Sequence, residues 1–224
     1  TLRTLKTSNL IIWTAKYCLP AAVSQGYGVI KGYGNLFKNN GTIMDQKTFQ
    51  TLLQNYNELV KKINHHIEQL EQRYPEDIAC KKGCDSCCKP LTVFPVEALN
   101  LAYAFARLDP QIKDKILTNI SAAPDSCPLL VDKICALYDQ RPVICRTHGY
   151  PVLIKSQEDQ ANIDFCPENF KTSPEFSNTD LLDIEQLNTL LLAINTHLVS
   201  IIDQQGELPD RISISDALFL LDDD

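Results

Sequence analysis

At 224 residues the chain can bury one good core, or one core with a small appendage, and its 44% hydrophobic and 22% charged residues are the balance of an ordinary globular protein. A net charge of −7 without any basic stripe argues against a nucleic-acid partner, because phosphate backbones are gripped by clustered Lys and Arg. Nine cysteines with no secretory signal point to a reducing, cytoplasmic setting, in which thiols persist as metal ligands or catalysts and not as a disulfide framework.

Residues 1–43 contain no Asp or Glu, five basic residues and five of the eight glycines, whereas all 28 acidic residues follow. Met44 is the single methionine, so the composition changes where translation could begin. Residues 1–43 therefore read as an atypical basic extension that need not belong to the native domain, and Cys18 within it is left out of the ligand set. Its apolar run from Leu10 to Val23 is broken by Lys16 and Pro20 and is shorter than the roughly 20 residues of a spanning helix, so no membrane association is expected. The repeats Gly26-Tyr27-Gly28 and Gly32-Tyr33-Gly34 lack the strand and helix that would turn them into a phosphate loop.

From Met44 onwards a single domain is expected to run to residue 224. Phe49, Leu52, Leu53, Tyr56, Leu59, Val60, Ile63, Ile67 and Leu70 recur at three and four, which predicts one amphipathic helix from Asp45 to just before Pro75. His65 and His66 near its end need no role beyond that of boundary residues. Next come Cys80, Cys84, Cys87 and Cys88. At 100° per residue these four fall within about a 100° sector, so a coiled segment would turn all four thiols the same way until Pro90 stops it. Four thiols among Lys, Asp and Ser do not read as a buried apolar patch.

Leu91 to Val96 has extended character, Pro95 fits the first turn of a helix, and Asp109-Pro110 reads as the cap and first residue of another. Cys127, Cys135, Cys145 and Cys166 complete a set of eight candidate metal ligands. Tyr138, Arg141 and Arg146 lie among them as candidate cofactor-binding residues: the two arginines can offset thiolate charge or donate to sulfur, and Tyr138 is a candidate donor. His148 is a weaker candidate ligand. Tyr150 to Ile154 and Ala161 to Phe165 predict a short β-hairpin that returns Cys166 to the site. Thr179 or Asp180 is expected to cap a long helix running from Leu181 to Ile202, with His197 at its boundary, and Ile212 to Leu221 to form a last short helix.

The Cys-x3-Cys-x2-Cys-Cys run, then Cys127-Pro128-x-Leu130, then Cys135-x2-Tyr138-x2-Arg141-Pro142-x2-Cys145-Arg146 and a final Cys166, resembles the YkgJ-like cysteine-cluster family. The resemblance covers Cys80 to Cys166. It implies zinc or iron chelation by the cysteines, and since the family includes flagellin lysine N-methylases it also suggests a protein-modifying enzyme, although no motif for a methyl donor is present.

The expected fold is mainly α, with helices packed around a loop-rich cysteine core and one short β-hairpin. Thiolates are soft ligands that select zinc or iron-sulfur centres, and eight of them suffice for two four-coordinate sites. Only Cys84 and Cys87 have the Cys-x2-Cys spacing of a zinc knuckle, so an iron-sulfur cluster is favoured, with zinc the alternative. The expected function is electron transfer, or support of a redox or protein-modification reaction on a protein or redox partner; a zinc-stabilised interaction module is the competing reading.

Overall fold

The computed structural model describes residues 3–4, 38–39, 42–43, 45–155, 161–172, 175–203 and 206–221. Most of the acid-free extension, with its Gly-Tyr-Gly repeats and Cys18, lies outside the described residues. What is described of it is three two-residue strands, β1 (Arg3–Thr4), β2 (Lys38–Asn39) and β3 (Thr42–Ile43), of which β2 and β3 pair antiparallel.

The long stripe forms two helices where one was expected, α1 (Gln46–Leu52) and α2 (Gln54–Arg73). Asp45 opens α1, its carboxylate accepting the Thr48 N–H at 2.9 Å, a cap worth about 1 kcal/mol. The backbone leaves helical geometry at Leu53 alone, yet Leu53 still donates to the Phe49 carbonyl and accepts from Asn57 N–H. The apolar stripe therefore crosses the break: Phe49, Leu53, Tyr56, Leu59, Ile63 and Leu70 are all buried. Each such side chain contributes about 1.5–3 kcal/mol of burial.

β4 (Thr92–Val93) leads into α3 (Pro95–Phe105), with proline at the first helical position as expected. Two buried side chains satisfy the start of this helix: Glu97 accepts the Phe94 N–H at 3.1 Å and Asn195 accepts the Val96 N–H at 3.0 Å. α4 (Pro110–Ala122) is capped by Asp109, which accepts the Gln111 N–H at 2.8 Å. A tight hairpin of β5 (Leu130–Val131) and β6 (Ile134–Cys135) follows, turning through Asp132 and Lys133, both at positive φ. Neither this hairpin nor the one-and-a-half turns of α5 (Val143–Thr147) was expected; each is too short to leave a periodic pattern.

The predicted hairpin forms, as β7 (Val152–Lys155) against β8 (Ala161–Asp164). β9 (Leu182–Asp183) adds parallel to β7 and β1 parallel to β8, giving the order β1-β8-β7-β9. The C-terminal helix α6 (Ile184–Ile202) starts later than expected, because Thr179 and Asp180 fold into a 3-10 turn and Asp183 is the cap, accepting from Glu185 and Gln186 N–H. β10 (Ile212–Ser213) pairs antiparallel with β4, and α7 (Ile214–Ala217) is far shorter than the expected helix to Leu221. His197 is exposed on α6 and not at its boundary.

About half of the described residues lie in seven helices, with a few short strands beside them, so helical content is moderate. One large core joins the faces of α1, α2, α3, α6 and α7, and a smaller one of Leu70, Tyr150, Val152, Leu182 and Ile184 sits under the four-stranded sheet. Among the described residues no helix is long and apolar enough to cross a membrane.

The end of α2 is tied to the turn before β9 by Asp180, a buried carboxylate that accepts from Arg73, from the Tyr74 hydroxyl at 3.0 Å and from the Ser177 N–H and hydroxyl at 2.8 and 2.6 Å. Burial pushes its pKa up, but the bonds from Ser177 and Tyr74 and the Arg73 charge outweigh that and leave it below the ordinary 3.8. A depressed carboxylate stabilises the fold above its unfolded pKa and ceases to do so as pH falls through its folded one. Asp180→Asn should therefore cost about 1.5–3 kcal/mol at neutral pH, with variant and wild-type denaturation midpoints converging below about pH 4. A gap that persists in acid would show that the carboxylate charge is not the source.

Candidate metal centre

The run from Cys80 to Cys88 does not coil into a helix, contrary to the expectation from its spacing. It makes two successive turns, closed by Cys84 N–H to the Lys81 carbonyl and Cys88 N–H to the Asp85 carbonyl, each at 2.9 Å, with Gly83 at φ 100° in the first. Turns, unlike a helix, do not hold the four thiols on one face. Cys84, Cys87 and Cys88 line a cavity, whereas Cys80 is not part of that lining and sits beside Gly149.

Three thiols from the second half of the set line the same cavity: Cys127 from the loop after α4, Cys135 from β6 and Cys145 from α5. The strings that carry them are joined by a backbone bond from Cys127 N–H to the Cys88 carbonyl at 3.1 Å. Six of the eight candidate ligands thus meet around one space. The eighth, Cys166, follows β8 as predicted and packs with Cys80: a β-carbon built on Gly149 would stand 2.6 Å from Cys80 Sγ and 3.6 Å from Cys166 Cβ.

All eight described cysteines are free thiols. Burial drives down the acidity of Cys80, Cys127, Cys135 and Cys145 and contributes at Cys87. Cys127 is pushed up to about 12 by burial, against a bond from the Leu129 N–H that favours the thiolate. Cys135 is likewise raised by burial and eased by the Leu137 N–H, and Cys145 is raised well above the usual thiol value by burial and then by Cys127 and Cys135. Cys87 is raised first by its hydrogen bond with Cys88 and then by burial. Cys80 is pushed up to about 11, mainly by burial. Thiolates this far from water are stable only beside a compensating cation.

That donor set fits a thiophilic metal. The soft ligands are numerous, and in both Cys-x-Leu segments the amide two residues on donates to sulfur, a bond that favours the charged form. As the side chains stand, no group of three or more His, Cys, Asp or Glu among the described residues is gathered closely enough to hold an ion. Cys127, Cys135, Cys145 and the pair Cys87 and Cys88 are the residues that would hold one around the cavity.

Of the other candidates, Arg141 and Tyr138 both line the cavity, with the guanidinium stacked 3.6 Å above the Tyr138 ring. Arg141 also donates to the Tyr138 carbonyl at 3.0 Å and the Cys145 carbonyl at 3.4 Å, which holds its charge where it lowers the pKa of Cys87, Cys135 and Cys145. Arg146 is buried elsewhere. It donates to the Arg141 and Asp139 carbonyls and, at 3.0 Å, to Asn64 Oδ1, stapling the 138–141 turn to α2. His148 lines the cavity, and burial lowers its pKa. His65 bonds to Gln69 and His66 to the Asp180 carbonyl, both away from the thiols.

Three residues that sequence reasoning passed over shape the site. Gly149 leaves room for Cys80. Asn169, 1% exposed, accepts the N–H groups of Ala79 and Cys80 at 2.9 and 3.1 Å and donates to the Gly149 carbonyl at 2.7 Å and to Cys80 Sγ at 3.3 Å. Glu97 accepts the Val143 N–H at 2.9 Å and so fixes the start of the helix bearing Cys145. Their effect on the site is not marked locally, because each acts there on a residue 20 or more places away, although Glu97 also caps its own helix at Phe94, three residues back.

Residues 79–167 match the family model CxxCxxCC, described as "Putative zinc- or iron-chelating domain", a span that contains all eight candidate thiols. Neither a curated protein nor a solved structure matches the chain.

Proposed function

We propose that this chain, whose residues 79–167 belong to the CxxCxxCC family, binds iron and sulfur on its cysteines and exchanges electrons with a protein partner. The observation that carries this reading is the convergence of six thiols from four separate segments on one cavity beside a fixed arginine. An iron-sulfur cluster, when bound, supplies one-electron chemistry whose potential follows net charge, hydrogen bonds to sulfur and exposure. The chain's own residues act on each of those quantities. Arg141 offsets thiolate charge, the Leu129 and Leu137 amides donate to sulfur, and the exposed Cys84 leaves one side of the site open to a partner.

Iron-sulfur is preferred to zinc on ligand spacing, since Cys84 and Cys87 form the single knuckle pair among eight thiols. Protein purified without oxygen should be brown, with a broad absorption near about 400 nm that dithionite bleaches, and should contain iron and acid-labile sulfide. Colourless protein with stoichiometric zinc would replace this reading with that of a zinc-stabilised interaction module.

A further inference from the structure

We propose that this chain self-associates, two copies pairing antiparallel along the outer flank of α6 through Leu190, Ile194, His197 and Ile201. The pairing goes beyond the metal-binding reading and does not depend on it.

α6 is apolar around more of its circumference than the core uses. Ile184, Leu191, Asn195, Leu198 and Ile202 face inward and are buried. Leu190 and Ile201 nevertheless stand 47% and 48% exposed, with Ile194 half-buried between them. With Leu192, α6 carries three of the five exposed large apolar side chains among the described residues. At 100° per residue, Leu190, Ile194, His197 and Ile201 fall within a sector of about 60°. Their spacing of four, three and four is that of the a and d positions of a coiled-coil seam. A helix with such a stripe outside its core-facing side has a second surface to bury.

The residues beside this seam allow it to be covered. Ala193 and Ser200 flank it on the solvent side and are small enough for a second helix to come close. The Thr189, Thr196 and Ser200 hydroxyls donate to the Glu185, Leu192 and His197 carbonyls at 2.8, 2.9 and 2.8 Å. Covering these hydroxyls therefore strands no donor.

Charge and symmetry identify the occupant as a second copy. The chain carries a net charge of −7, so two copies repel one another over most approaches. Residues 186–202 contain no Asp, Glu, Lys or Arg, and along them two copies meet without opposing like charges. The seam is also its own complement: a two-fold axis sets Leu190 against Ile201 of the second copy, and Ile194 against His197, in both directions at once.

The test is sedimentation equilibrium of the full chain over a wide concentration series under reducing conditions, which keep exposed thiols from cross-linking copies. One helix flank is smaller than the roughly 800 Å² per partner of a standard interface, so wild type should pass from monomer to dimer as concentration rises. Leu190→Lys and Ile201→Glu each set a charge against an apolar side chain of the second copy and should raise the dissociation constant about tenfold or more. Leu190→Lys combined with Ile201→Glu places opposite charges face to face twice and should dimerise again. Leu192→Lys is the control, since Leu192 is 52% exposed but lies about 140–180° around the helix from the four seam residues; it should dimerise as wild type does. Circular dichroism checks that each variant is folded, and either single variant suffices if the other is not. Wild type that stays monomeric throughout leaves the flank to a different protein and overturns the proposal. A dimer that the single seam variants leave intact, or that Leu192→Lys weakens equally, overturns it as well. A double variant that remains monomeric overturns the antiparallel register.

Discussion

Gly149→Ala is expected to destabilise the protein by about 2–4 kcal/mol and to release the Cys80 side of the site. Gly149 sits at φ 98°, a region that an L side chain enters only with strain, and the added methyl would lie 2.6 Å from Cys80 Sγ and 3.2 Å from Asn169 Nδ2. Neither neighbour can yield freely, because Asn169 is buried and bonded at both ends of its amide. Gly83→Ala supplies the control: its φ is 100° but nothing lies within 4 Å of the added carbon. That variant should lose only the backbone term of about 1–2 kcal/mol. Urea denaturation of the two variants separates strain from collision, and faster alkylation of Cys80 in Gly149→Ala alone would locate the damage. Equal losses in both variants would mean that the packing around Cys80 is looser than the structure has it.

Glu97→Ala should cost still more, about 3–5 kcal/mol, because it orphans two buried donors and opens a cavity. Its two oxygens accept from Phe94 N–H and Val143 N–H, so one side chain caps α3 and anchors the start of α5. Loss of the second bond frees Cys145 on α5, and metal content should fall with stability. Glu97→Gln keeps one acceptor and should be the milder variant. Burial raises the Glu97 pKa despite those two bonds. An acid with a raised folded pKa stabilises most below its unfolded value and loses that contribution as pH rises through the folded one. Wild-type stability should therefore decline upward from about pH 4.5 by an increment that Glu97→Gln abolishes; identical pH profiles would rule out Glu97 as the titrating group.

How much of this was legible before folding depended on the length of each signal. The α1–α2 stripe, the Pro95 and Asp109-Pro110 helix starts and the β7–β8 hairpin were readable because each repeats a pattern over many residues or uses a residue with one conformational meaning. The β5–β6 hairpin was not, since Asp132-Lys133 is not a preferred pair for a turn at positive φ. Asp180 carries the mark of a helix cap, yet its carboxylate is engaged by Arg73 and Tyr74, and Asp183 caps the helix in its place. The helical arc of Cys80 to Cys88 failed for a related reason: Gly83 and two tight turns divide the run.

The sequence by itself supplied the donor atoms on which metal binding by this protein would rest. Eight thiols between Cys80 and Cys166 are the soft donors that a zinc- or iron-chelating domain would use, and all eight fall within the family match over residues 79–167. Only the tertiary structure decided which thiols are neighbours. Cys145 reaches Cys127 and Cys135 because Glu97, on a different helix, holds the start of α5. Cys80 reaches Cys166 because Gly149 has no side chain and Asn169 bridges both loops. Ligand identity is written in residue type, whereas ligand grouping depends on contacts between segments far apart in the chain, for which spacing carries no signal.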